Sequence, residues 1–145
     1  MRQILFRGQT RKYGEKVKMQ DGTKLPGRWV YGGVLQGVGD HSIIYGGEDV
    51  NDPSKGLDKW CVHTDTLGQF TGLTDKNGKK IFEGDILRFM ACGIEYTGCV
   101  VFSNGAFWIR CRFYDKIGAI VSEYKPVIVG NIHDNPELLG GAGNG

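Results

Sequence analysis

The stretch QFTGLTDKNGKKIFEGDILRF, Gln69 to Phe89, decides the fold. It contains two glycine-marked turns, two apolar–polar alternations and five charges crowded between Asp75 and Glu83. Asn77–Gly78 is the strongest short-range hairpin signal, because both residue types tolerate the positive φ of a type I′ turn. It predicts a reversal before Lys80, Ile81 and Phe82. Gly84–Asp85 marks a second change of direction, after which DILRF alternates as a strand. Asp85 is read as the cap of that turn, its carboxylate accepting nearby backbone N–H groups. Glu83 and Asp85 would form a carboxylate pair only if a strand ran straight through Gly84, so catalysis is not assigned to them. The spacing of Asp75, Asn77 and Gly78 is also short of a calcium loop, whose twelfth position needs a carboxylate where this chain has Ile86. The stretch is therefore a place where the chain bends, and its charges, Lys76, Lys79 and Lys80 among them, solvate turns and guard a strand edge.

The same grammar extends in both directions. Upstream, Gln3–Arg7, Arg28–Leu35, His41–Tyr45 and Lys59–His63 read as strands, separated by a charged turn through Lys18, the turn-rich DGTKLPG, and a Gly/Asp/Asn/Pro loop at Gly46–Gly56. Downstream, Ile94–Phe102 reads as a strand interrupted at Gly98. Asn104–Gly105 supplies another hairpin turn, and Ala106–Tyr114 follows as a long strand. Lys116–Val121 and Pro126–Ile132 complete the set. HDNPELL then suits a short helix with Asn135 as N-cap and Pro136 at its first position. Turns recurring every 8–12 residues or so predict a small barrel or sandwich.

Composition agrees. The chain has 145 residues with 24 glycines against 4 prolines, which disfavours long helices and suits short strands joined by tight turns. That length holds one domain, or a domain with a smaller companion. A net charge of +2 points to no particular partner. No apolar run approaches the roughly 20 residues that span a bilayer, and MRQILFRG lacks the apolar core of a signal peptide, so the expected location is the cytoplasm, with no membrane partner. GGAGNG, Gly140 to Gly145, has nothing to bury and is expected to be a disordered tail. Cys61, Cys92, Cys99 and Cys111 form no CxxC pair, and His41, His63 and His133 stand outside ligand spacing. The cysteines are read as reduced small hydrophobes. No metal and no cofactor is expected.

The quoted stretch closely resembles the signature of the YopX family, small proteins of phage and prophage genomes. QILFRG, GRWVYGGVL and the closing VIVGNIHDNPELL resemble the family's ends. The resemblance implies a mainly β protein, α+β at most, from a bacteriophage or prophage, with an SH3-like barrel in its C-terminal half. It implies no activity. The expected organisation is an antiparallel N-terminal portion over residues 1–68, packed on a barrel with its short helix over 69–139, and the tail at 140–145. Asn77, Gly78, Gly84, Asp85, Asn104 and Gly105 are the structural turn positions of such a barrel.

One strand carries a functional signal. Period-2 alternation after Gly105 places Phe107, Ile109, Cys111 and Phe113 on one face and Trp108, Arg110, Arg112 and Tyr114 on the other. The first set is core. The second interleaves aromatic rings with guanidinium groups, which marks interfaces between subunits and also surfaces that stack bases and hold phosphates. The preferred reading is a non-enzymatic binding or assembly module that forms a homo-oligomer through this face. The alternative is a nucleic-acid-binding accessory protein using the same four residues. No catalytic residues are assigned, since GxSxG, HExxH and phosphate-loop patterns do not occur.

Overall fold

The computed structural model describes residues 4–10, 16–18, 24–26, 29–35, 39–46, 58–111 and 115–139. The chain is mainly β, with antiparallel pairing throughout, and divides into two compact units between Gln69 and Phe70.

In the first unit, β1 (Phe6–Gln9), β4 (Trp29–Leu35), β5 (His41–Gly46) and β6 (Asp58–His63) pair in the order β6-β5-β4-β1. The far edge of β1 is taken by Gly68 and Gln69. A separate hairpin joins β2 (Lys16–Lys18) to β3 (Lys24–Pro26), where the sequence suggested only turns. Alternation along these strands sends Val30, Ile44 and Val62 inward as a small buried cluster, with Phe6, Val34, Trp60 and Leu67 packed around it. A 3₁₀ turn at Thr64–Thr66 closes the unit. Its Thr66 hydroxyl donates to the His63 carbonyl at 2.6 Å and accepts the Gln9 N–H at 2.8 Å.

β7 (Gly68–Thr74) leads out of the first unit, and its later residues pair with β8 (Lys80–Phe82). The second unit is built on a four-stranded sheet in the order β11-β10-β9-β12, from β9 (Asp85–Ala91), β10 (Ile94–Ser103), β11 (Ala106–Arg110) and β12 (Val127–Asn131). Its core contains Ile81, Leu87, Phe89, Ala91, Val100, Ile109, Ile117 and Ile120. The last two come from α1 (Ile117–Tyr124). Burying each isoleucine contributes about 2 kcal/mol from apolar area alone.

Four expectations need correction. The sheet pairing does not close into a barrel among the described residues: β11 and β12 are its two edges. Lys116–Val121 does not continue the strand series but enters helix α1. Ile117, Ile120, Val121 and Tyr124 are spaced as one helical stripe, and the first two are buried. Lys125 ends the helix in the left-handed region, directly before Pro126. The strand expected over Ala106–Tyr114 ends at Arg110. The closing helix is a single 3₁₀ turn, Pro136–Leu138, with Pro at its start. Most of the Gly46–Gly56 loop and the tail at 140–145 lie outside the described residues. No helix among the described residues is long and apolar enough to cross a membrane.

Candidate functional site

The β10–β11 hairpin owes its geometry to Asn104 and Gly105. Both occupy positive φ, at 52° and 77°, so the two-residue connection is of type I′ and its twist matches that of the flanking strands. Register then pairs Ser103 with Ala106, Val101 with Trp108 and Cys99 with Arg110 on one face, and Phe102 with Phe107 and Val100 with Ile109 on the other. Val100 and Ile109 belong to the core. Phe102 and Phe107 meet edge to face with ring centres 5.1 Å apart.

The opposite face carries the candidate site. Trp108 is half-buried, and its indole Nε1–H donates to the Ser103 carbonyl at 2.8 Å. That bond fixes the ring against the hairpin and leaves its surface beside Arg110, which is exposed. Val101, Ser103, Asn104, Trp108 and Arg110 line a depression of about 340 Å³. Opposite Arg110 in the register is Cys99, which is buried; burial pushes its thiol pKa up, against the pull of the Arg110 guanidinium. A thiol raised in this way is a poor nucleophile. Arg112 and Tyr114 lie outside the described residues, so Trp108 and Arg110 are the two members of the expected quartet that the structure brings together.

Sequence reading missed a neighbour. Lys116 forms an isolated antiparallel bridge with Trp108. Residues directly opposite in an antiparallel pair share a face, which puts the exposed Lys116 side chain on the same side as Trp108 and Arg110. The preceding Asp115 anchors this return: its carbonyl accepts the Ile109 N–H at 3.4 Å and its carboxylate accepts the Lys116 N–H at 2.9 Å. Nothing in the local sequence signals this proximity, because it depends on how the chain doubles back after β11.

The turn residues of the opening stretch are occupied structurally. Asp75 is buried, and its Oδ1 accepts the N–H groups of Asn77 and Lys79 at 2.8 and 2.9 Å while Oδ2 accepts that of Ile128 at 3.0 Å. Burial opposes ionisation, but these three donors, helped by the Lys79 charge, outweigh it and hold the carboxyl below its usual value. Asp85 is also buried, and its Oδ2 accepts the Phe82 N–H at 2.7 Å. Gly84, at φ 92°, donates to the Val100 carbonyl and accepts from the Ile132 N–H. Gly78 takes φ 82°, but Asn77 does not enter the positive region. The reversal there is a longer loop, closed by Gly78 N–H to Asp75 O at 3.0 Å and Asp75 N–H to Lys79 O at 2.8 Å, instead of the two-residue type I′ turn read from the sequence. The side chain of Asp75 fills the turn and selects that form. The cysteines are also redistributed: Cys92 is exposed at φ 52° in the β9–β10 turn and Cys61 is exposed on β6, while Cys99 is the buried one.

A family model described as YopX protein matches residues 29–140. The chain belongs to the YopX family. The matched span takes in β4 through the closing 3₁₀ turn, and so includes Asp75, Asp85, Trp108, Arg110 and Lys116; β1, β2 and β3 precede it. This YopX-family chain is similar in fold to the crystal structure of protein EF1440 from Enterococcus faecalis, at 23% sequence identity and a TM-score of 0.50 over 96% of this chain and 99% of that one. No curated protein matches the chain.

Proposed function

We propose that this YopX-family chain is a non-enzymatic binding and assembly module, encoded by a phage or prophage and acting in the host cytoplasm, and that it forms a homo-oligomer through the Trp108–Arg110 face. The observation that carries this reading is the pinned indole. A tryptophan immobilised by its own hydrogen bond, set beside an exposed arginine in a shallow depression, has little conformational entropy left to lose on docking, and Trp and Arg dominate the energetics of protein interfaces. The carboxylates of Asp75 and Asp85 already accept backbone N–H groups, which favours a binding role over catalysis. Light scattering at micromolar concentration should give a mass above that of one chain, and Trp108→Ala should weaken association by about 2 kcal/mol or more, roughly thirtyfold. A wild-type chain that stays monomeric throughout that range ends the oligomer reading.

Lys116 supports a second reading. With Arg110 it places two cations beside one aromatic ring, the arrangement that holds phosphates while a base stacks. In that case single-stranded DNA or RNA should bind at low salt, and Arg110→Ala and Lys116→Ala should each reduce the steepness of the salt dependence. Oligonucleotides that show no mobility shift at low salt remove this alternative.

A further inference from the structure

We propose that His41 and His63, on the outer face of β5–β6, form a two-imidazole site for a divalent first-row transition cation of the zinc type. The two residues are far apart in sequence but directly opposite in register, at the start of β5 and the end of β6. Their neighbours alternate in direction: Ile44 and Val62 point into the core of the first unit, while His41 is exposed and His63 half-exposed. The ring centres are 4.8 Å apart with planes inclined at 40°. Two imidazole nitrogens on one tetrahedral zinc, each at 2.0–2.1 Å, put the ring centres about 5 Å apart. The observed ring separation matches that spacing, and a shared ion needs one nitrogen of each ring turned toward it.

The backbone beneath is already ordered. The Thr64 N–H donates to the Asp40 carbonyl at 2.7 Å immediately beside the pair, tying the two strand ends together. The Ser42 and Thr64 hydroxyls hydrogen-bond at 2.8 Å. Ligands carried on strand ends that are already paired lose little backbone freedom when a metal binds. Asp40 and Asp65 are exposed, one residue before His41 and two after His63, and bring negative charge to the neighbourhood. No group of three or more His, Cys, Asp and Glu side chains capable of holding a metal occurs among the described residues, so the proposed site has two protein donors and water would have to complete its coordination. Imidazole donors suit zinc, copper and nickel and do not suit calcium or magnesium. Cys61 lies two residues before His63 on the same strand and is the competing donor that the test must separate.

The test uses the whole chain titrated with zinc sulfate. Zinc should raise the thermal midpoint and bind by calorimetry at one ion per chain, and the imidazole proton resonances of His41 and His63 should shift together while those of His133 stay in place. His41→Ala and His63→Ala should each abolish the response; both sites are at the surface, so the variants keep the fold. Cys61→Ser should leave the response intact, and magnesium should produce none. The proposal is overturned if wild type shows no response, if the response survives in the His41→Ala/His63→Ala double variant, or if Cys61→Ser removes it.

Discussion

Asp75 shows what one side chain contributes to this fold. It is a buried carboxylate with three backbone donors, two from its own turn and one from Ile128 on β12. It therefore joins the β7–β8 hairpin to the edge of the four-stranded sheet within the second unit. Asp75→Ala removes the shared acceptor and leaves donors unpaired, so it should cost about 3 kcal/mol, read from the midpoint of chemical denaturation. The same contacts set a pH dependence. The folded carboxyl titrates below the ordinary value of 3.8, so its contribution is fully present above that value and is lost as the pH falls through the lower folded pKa. Acid titration of stability should show this loss in the wild type and a shallower decline in Asp75→Ala. Equal slopes would mean that the carboxylate makes no net contribution.

At the scale of elements, two Asn–Gly pairs that look alike in sequence behave differently. Asn104 holds a left-handed conformation and Asn77 does not. A residue with a Cβ pays roughly 1–2 kcal/mol in that region, and asparagine less because its side chain bonds locally. Asn104→Ala should therefore destabilise by about 1 kcal/mol and Asn77→Ala by clearly less. If the two cost the same, the turn assignment is wrong. Strand β10 contains a sharper constraint at Gly98, where a Cβ would lie 2.6 Å from Ile109 Cγ2, 2.7 Å from Cys111 Cβ and 2.8 Å from the Arg110 carbonyl. Gly98→Ala should cost about 2 kcal/mol through overpacking and should displace the β10–β11 hairpin, with chemical-shift changes at Trp108. Helix α1 is held by Ile117 and Ile120 against the sheet; Ile120→Ala should cost about 3 kcal/mol by leaving a cavity.

For the whole molecule, the division between Gln69 and Phe70 leaves each unit with a buried cluster of its own. A fragment from Gly68 to the C-terminus should accordingly give dispersed amide resonances and a cooperative unfolding transition; a collapsed spectrum would show that its core is insufficient. Much of the architecture was written in local pattern. Glycine abundance and period-2 alternation determined that the chain is mainly β, and the run around Ile109 disclosed its buried face, because alternation is a property of neighbouring residues. Trp108 and Arg110 could be placed on one face for the same reason. Tertiary structure decided the rest. Ile117–Tyr124 became a helix because its apolar stripe meets the sheet, a partner the segment does not encode. Asp75 selected one turn form over another through an acceptor that also serves distant Ile128. Lys116 reached Trp108, and His41 met His63, only through the return of the chain. Sequence determines what each residue can do with its neighbours along the chain; which distant groups it meets is a free-energy outcome of packing the whole.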